Sequence, residues 1–307
     1  MVLTKRKLIL GALAVLLGVF LYRVFAVYTV RSGECRPRPV DPGLLRLTRD
    51  ENGTLVSFPE RIGFPPQRQP LVVMTYNIAG HDELADGDHV RHVADAIRRI
   101  HPDIVVLQEV HRKTWQVRFR DQLAELKSRT GLNSYFAPSF VLWGGGYGNA
   151  ILTRGQIVHA EVHPLPCVGE PRALLEATIR MDQATINVYA THLTSWGRLN
   201  SGIRTEQLRC IAREVRASRH PYILAGDFNA APDSPEMEAF RRENVAQLAS
   251  RAVGPTFPLW NEQIDHIFAD YGWQVRASRT WPVDISDHLP VTAELMWERS
   301  GFQYPKE

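Results

Sequence analysis

The residues of this chain that could do chemistry collect at the ends of apolar runs. Asn77 closes Val72-Val73-Met74-Thr75-Tyr76, and Glu109 closes Asp103-Ile104-Val105-Val106-Leu107-Gln108. His192 closes Asn187-Val188-Tyr189-Ala190-Thr191, and Asp227 and Asn229 follow Tyr222-Ile223-Leu224-Ala225-Gly226. Asp265 stands in Gln263-Ile264-Asp265-His266, and Asp287 and His288 stand in Ser286-Asp287-His288-Leu289-Pro290. Charged and amide groups at strand ends are costly to bury unpaired. Gathered at one end of a sandwich, they would make a cleft of hard oxygen ligands with imidazoles beside them. Such oxygens suit Mg²⁺ or Mn²⁺, whereas zinc would want more His or Cys. Histidines next to carboxylates suit general acid–base work. Asp227 and Asn229, two apart, face the same side if their segment is extended. Each residue alone also has a plainer reading: Asn77 as a turn residue, Asp227 with Asn229 as an Asx turn, His192 as a hydrogen-bonded core histidine, Asp265 as a strand-end ion pair.

The apolar runs at 71–76, 104–107, 149–153, 173–179, 186–191, 222–225, 264–269 and 291–295 read as buried strands. Helical spacing separates some of them. Val90, Val93, Ile97 and Ile100 share one helix face, as do Leu208, Ile211 and Val215. Phe119, Leu123 and Leu126 suggest another helix, stopped by Gly131, and Ser234-Pro235 is an N-cap followed by proline at the first helical position. Many strands with fewer, unevenly placed helices imply an α+β sheet sandwich.

Apolar residues make up 44% and charged residues 22%, which excludes a mostly disordered chain. Cys35, Cys167 and Cys210 are too few for a disulfide framework and match no zinc spacing. The net charge of +3 is unevenly spread: residues 1–70 carry 11 Lys/Arg against five Asp/Glu, and residues 71–307 carry 25 against 28. The slightly acidic larger part argues against a broad non-specific nucleic-acid surface.

Lys5-Arg6-Lys7 precedes an unbroken apolar run over 8–22; Arg23 interrupts it and 24–30 continue it. Fifteen helical residues reach about 22 Å, short of a hydrocarbon core of roughly 30 Å. Continuing to residue 30 is long enough to span if Arg23 snorkels to the interface. The basic flank predicts a single-pass membrane helix with a cytoplasmic N-terminus and an extracytoplasmic remainder, periplasmic or extracellular. A cleaved signal peptide is the competing reading. The chain then divides into the signal-anchor at 1–30, a Pro/Arg-rich juxtamembrane linker at 31–69, a catalytic domain at 70–298 and a tail at 299–307. Within the linker, 44–48 and 54–58 flank Asp50-Glu51-Asn52-Gly53 as a lone hairpin.

Taken together, the motifs carry a resemblance. Thr75-Tyr76-Asn77-Ile78, Leu107-Gln108-Glu109-Val110, Gly148-Asn149-Ala150-Ile151-Leu152, Thr191-His192-Leu193, Gly226-Asp227-Phe228-Asn229, Ile264-Asp265-His266-Ile267 and Ser286-Asp287-His288-Leu289-Pro290 occur in this order. From about residue 70 to 298 the chain resembles the endonuclease/exonuclease/phosphatase superfamily, with its DNase I-like fold. The resemblance implies a four-layer α/β-sandwich and a phosphoric ester hydrolase that uses Mg²⁺ or Mn²⁺. It implies Glu109, helped by Asn77, as holder of the principal metal. Asp227 and Asn229 would position the attacking water or the scissile phosphate. His288 would be the general base oriented by Asp265, and His192 a donor to the phosphate or leaving oxygen. Asp287 would support the metal cluster or the neighbouring imidazole, and Asn149 would lie at the substrate phosphate. Relatives often carry Arg before Ile-Asp-His, where this chain has Gln263. Arg172 is either a positive charge at that phosphate or an ordinary surface arginine. The expected substrate is a nucleic acid or a lipid phosphodiester; no protein partner is expected. The alternative from another class is an inactive module that holds a phosphorylated ligand in the same cleft.

Overall fold

The computed structural model describes residues 45–49, 55–59, 69–80, 87–142, 145–182, 184–195 and 200–297. The anchor expected over 1–30 and the tail at 299–307 lie outside them, as do Cys35 and most of the linker. No helix among the described residues is long and apolar enough to cross a membrane. The hairpin expected in the linker is present, displaced by one residue: β1 (Leu45–Arg49) pairs antiparallel with β2 (Leu55–Pro59).

The remainder builds two mixed sheets. The first has the order β13-β14-β3-β4-β6-β5, from β3 (Leu71–Asn77), β4 (Ile104–Arg112), β5 (Asn133–Leu142), β6 (Gly145–Thr153), β13 (Trp273–Thr280) and β14 (Val291–Trp297). The second has the order β11-β12-β10-β9-β8-β7, from β7 (Gln156–Leu165), β8 (Arg172–Met181), β9 (Ala184–His192), β10 (Tyr222–Asp227), β11 (Gln247–Leu248) and β12 (Asp265–Ala269). Each sheet has one parallel pair near its centre, β3 with β4 and β9 with β10.

Side-chain alternation explains the layering. In β3, β4, β9 and β10 one parity supplies Val73, Ile104, Val106, Val188, Ala190, Ile223 and Ala225 to a core between the sheets. The opposite parity packs on helices. Met74, Tyr76, Val105 and Leu107 meet α1 (His89–Ile100) and α2 (Gln122–Thr130) on one outer face. Tyr189, Tyr222 and Leu224 meet α3 (Ser201–Arg216) and α4 (Pro235–Arg242) on the other. The result is a four-layer α/β/β/α sandwich.

The helix ends follow their capping chemistry. Asp88, Asp121 and Ser234 each accept a backbone N–H of the first turn, and Gly131 ends α2 in the left-handed conformation. Phe119 departs from expectation. It precedes α2, is 65% exposed and has φ +61°, so the periodicity that seemed to include it begins only at Leu123.

Candidate active site

The inter-sheet stripe carries polar residues where it reaches one end of the sandwich. In β9 the inward residues run Ile186, Val188, Ala190 and then His192; in β10 they run Ile223, Ala225 and then Asp227. Asp265 precedes Ile267 and Ala269 with the same parity in β12, and Asn149 precedes Ile151 in β6. Asn77 ends the inward stripe of β3. Asp227 is in register with His192 on one side and with Asp265 on the other, so three polar side chains lie abreast on adjacent strands.

Glu109 is the exception to alternation. Its parity, shared with Val105 and Leu107, would aim it at the helices. A bulge between Leu107 and Val110, with Glu109 at φ +60°, breaks the register and redirects it. Left-handed backbone at a non-glycine residue costs about 1–3 kcal/mol and marks a position held by its surroundings. The outcome is visible in Asn77, whose Nδ2 donates to Glu109 Oε1 at 3.1 Å and to Asp227 Oδ2 at 3.1 Å. Asn77 Oδ1 accepts from the backbone N–H of Ala79 at 3.1 Å, which fixes the amide orientation. Asn77 therefore offers the carboxylates its NH₂, as an organiser of Glu109 and Asp227, rather than a free oxygen.

Asp227 lies at the centre. Its Oδ2 is 3.4 Å from His192 Nε2 and 3.8 Å from His288 Nε2. His288 Nδ1 meets Asp265 Oδ2 at 2.8 Å. Asp265 is fixed by its own N–H, which donates to Thr256 Oγ1 at 3.0 Å, and Phe257 lies 4.9 Å from the His288 ring. Ser286 Oγ donates to Asn77 O at 2.8 Å and joins the last loop to β3. Gly226 permits this assembly, because a Cβ there would sit 2.0 Å from Thr191 O on β9.

Asn229 departs from the extended geometry. Its φ is +48°, its N–H donates to Asp227 Oδ1 at 2.8 Å and its Nδ2 donates to Leu193 O at 3.1 Å. The pair is an Asx turn that braces the Asp227 carboxylate. Asp287 is exposed, at the rim, and its Oδ1 accepts from Ser286 Oγ at 3.2 Å. Arg172 is no surface arginine. It is 5% exposed, pairs with Glu170 Oε1 at 2.9 Å, and its charge acts on Tyr147. Gln263 turns away from the cleft, donating to Ser250 O at 2.7 Å. Tyr147, Thr256 and Phe257 also belong to the site. The sequence pointed to Tyr147 alone, as the aromatic end of Trp143-Gly144-Gly145-Gly146-Tyr147 just before Asn149, and the structure places it on β6.

The electrostatics separate the two histidines. Burial holds His192 well below the usual imidazole range, and the charge of Arg172 adds to the effect. Burial also works against a charged His288, but the charges of Asp265, Asp227 and Asp287 and the Asp265 hydrogen bond outweigh it and raise its pKa. Burial raises the Asp227 carboxyl, and the Asp265 charge raises it further. Around pH 7 the site thus holds a neutral His192 and an imidazolium at His288.

The donor set fits a hard divalent cation. The carboxylates of Asp227 and Asp265 bring oxygens within 4.8 Å of one another beside the His288 imidazolium, and Glu109 adjoins them through Asn77. Asp265 Oδ1 and Asn149 Oδ1 are buried with no hydrogen-bond donor. A buried acceptor without a partner is costly unless a cation or polar ligand meets it.

Residues 74–288 match the family described as Endonuclease/Exonuclease/phosphatase family. A search of curated proteins finds no match. Among solved structures, the chain is similar to an endonuclease/exonuclease/phosphatase from Beutenbergia cavernae, at 28% identity and TM-score 0.60, covering 75% of this chain and 72% of that one. The fold is also that of the human nocturnin catalytic domain, at 20% identity and TM-score 0.61, over 76% and 97% of the two chains. A mannosyl-6-phosphatase from Bacteroides thetaiotaomicron matches at 21% identity and TM-score 0.61, over 74% and 100%. With its family match spanning most of the sandwich and ending on His288, this chain belongs to the endonuclease/exonuclease/phosphatase family of phosphoesterase hydrolases.

Proposed function

We propose that the chain is a membrane-tethered, Mg²⁺- or Mn²⁺-dependent phosphodiester hydrolase whose sandwich works outside the cytoplasm. The observation that carries the hydrolase reading is Asp227, whose carboxylate stands between His192 and His288 while Asp265 fixes His288 from behind. The tether reading rests on Lys5-Arg6-Lys7 and the apolar run after it.

A divalent cation held by Glu109 would neutralise phosphate charge and polarise the phosphorus toward attack. Asp227, with a carboxyl raised by burial, is placed to take a proton from the attacking water. The imidazolium of His288 donates to a phosphate oxygen as charge grows there, and Asp265 stabilises that imidazolium. This assignment exchanges the base expected at His288 for Asp227. His192, neutral, donates a hydrogen bond to the phosphate or leaving oxygen, and Arg172 supplies fixed positive charge beside it.

The test uses the full chain in detergent with Mg²⁺ or Mn²⁺, offered bis(p-nitrophenyl) phosphate, plasmid DNA and phospholipid vesicles. Turnover should vanish on chelation and in Asp227→Ala and His288→Ala. Full activity in either variant, or in chelator, sinks the reading. Recovery of the chain from cells in the soluble fraction, without detergent, sinks the tether.

A further inference from the structure

Single exposed apolar side chains are ordinary on protein surfaces. Their placement here is not. Of the large exposed hydrophobic residues among the described ones, Trp115, Phe119, Val141, Val168, Leu259 and Trp260 lie on segments at the catalytic end, and Tyr135 and Val158 lie toward the other. Trp115 and Phe119 follow β4 beyond Glu109, and Leu259 and Trp260 precede Asp265.

The segment between β4 and α2 is built to present its aromatics. Lys113 N donates to Arg120 O at 2.8 Å, Phe119 N to Thr114 O at 2.8 Å and Arg118 N to Trp115 O at 3.1 Å. The base is clamped by Arg112 on Asp121, at 2.7 Å between Nη2 and Oδ2. Lys113, Arg118 and Phe119 all have positive φ, between +52° and +61°. This backbone accepts left-handed strain while leaving Trp115 52% and Phe119 65% exposed. A rigid loop that exposes a tryptophan and a phenylalanine gains nothing for the core.

We infer that the catalytic end of the sandwich docks on an anionic membrane surface, with Trp115, Phe119 and Trp260 entering the headgroup layer and Lys113 and Arg118 meeting the lipid phosphates. Residues 113–120, Lys-Thr-Trp-Gln-Val-Arg-Phe-Arg, carry three cations and no acid, and of the three Arg120 is engaged by Glu125. Aromatic rings flanked by cations are the side chains that partition to the bilayer interface and favour anionic lipid. The basic-flanked apolar run at 8–22 would place the domain beside such a surface. A line of rings also leads from the face to the chemistry: Trp260 lies 5.1 Å from Phe257, and Phe257 lies 4.9 Å from His288. The inference deepens the hydrolase reading, and rests on it, in naming the substrate class as a lipid phosphodiester drawn from that surface.

All seven tryptophans of the chain lie at position 115 or later, so the apolar N-terminal run contributes no tryptophan fluorescence. The full chain is placed in lipid nanodiscs that contain brominated phosphatidylglycerol or brominated phosphatidylcholine, and tryptophan quenching is read. Quenching should be strong with the anionic lipid and weak with the neutral one, and most of it should be lost in the Lys113→Glu/Arg118→Glu double variant. Equal quenching by both lipids, unchanged in that variant, overturns the proposal. So does quenching by a single-stranded oligonucleotide with none by lipid, which would give the face to nucleic acid. In a second assay, Trp115→Ser/Phe119→Ser should lose headgroup release from vesicles and keep turnover of bis(p-nitrophenyl) phosphate. Quenching that persists in a chain without turnover of any phosphodiester upholds the docking face and overturns the hydrolase reading with its lipid substrate.

Discussion

Asp227 and Asp265 are direct cross-strand partners on β10 and β12, buried at 1% and 0% exposure, with the His288 imidazole bridging them. Like charges placed opposite each other on one face of an antiparallel pair oppose folding. One imidazolium offsets one carboxylate, and Glu109 adds another nearby. The folded site is therefore charged in advance for a cation.

Metal binding should read out as stability. A cation at a hundredfold excess over its dissociation constant adds about 2.7 kcal/mol. For a domain of this size that raises the melting temperature by about 5–10 °C. Mg²⁺ or Mn²⁺ added to chelated protein should produce this rise in a thermal melt. Asp227→Asn should be no less stable than wild type in chelator, because it removes one of the facing charges, and should lose part of the metal-dependent rise. A wild-type melt indifferent to divalent cations contradicts the assignment.

The bulge at Glu109 makes a separable prediction. Glycine adopts φ near +60° freely, whereas alanine does not. Glu109→Gly and Glu109→Ala remove the same carboxylate, so both should abolish the metal response. Glu109→Gly should nevertheless be more stable than Glu109→Ala, by about 1 kcal/mol, in chemical denaturation. Equal stabilities would mean that the left-handed backbone at Glu109 carries no cost.

The strand ends that build this site were legible in the sequence; their exceptions were not. His192, Asp227 and Asp265 stand at the ends of apolar runs, and the strands that carry them were expected close to their observed bounds. The strands missed were β5, β7, β11 and β13, which are the four edges of the two sheets. An edge strand is only partly covered and needs no apolar run; in β7 the exposed and half-exposed residues extend from Gln156 to Pro164. Glu109 could not be oriented from alternation, because a bulge depends on the pairing with β6. Asn229 had two readings in the sequence, an extended neighbour of Asp227 or its partner in an Asx turn, and the hydrogen bond from its N–H to Asp227 Oδ1 decides for the turn. Arg172 could not be separated from a surface arginine, since its burial is decided by residues distant in sequence.

Arg172 should behave as part of the phosphate grip. A hydrogen bond from a charged donor contributes about 1.5–3 kcal/mol, so Arg172→Gln should lower kcat/KM for a phosphodiester by about 10- to 100-fold. Arg172→Lys should recover little of it, because one ammonium cannot hold Glu170 and also present the planar fork of a guanidinium to a phosphate. Unchanged kcat/KM in Arg172→Gln would return this residue to a structural role.

His266 sets an acid limit on the fold. It shares β12 with Asp265 but has the opposite parity, packed with Phe228 and Phe268 behind the site. Its Nε2 lies 2.9 Å from Ala230 O, and burial lowers its pKa to about 4. The unfolded histidine titrates near 6.5, so between pH 6.5 and 4 the unfolded chain binds the additional proton. Stability from this residue is therefore complete above pH 6.5 and is lost as pH falls toward 4, by about 3 kcal/mol in all. His266→Gln keeps a donor for Ala230 O but cannot titrate. In denaturant melts at pH 7 and pH 4.5, the loss of stability on acidification should be smaller for His266→Gln than for wild type. Equal losses would show that His266 is protonated in the folded state and that its packing against Phe228 imposes no penalty.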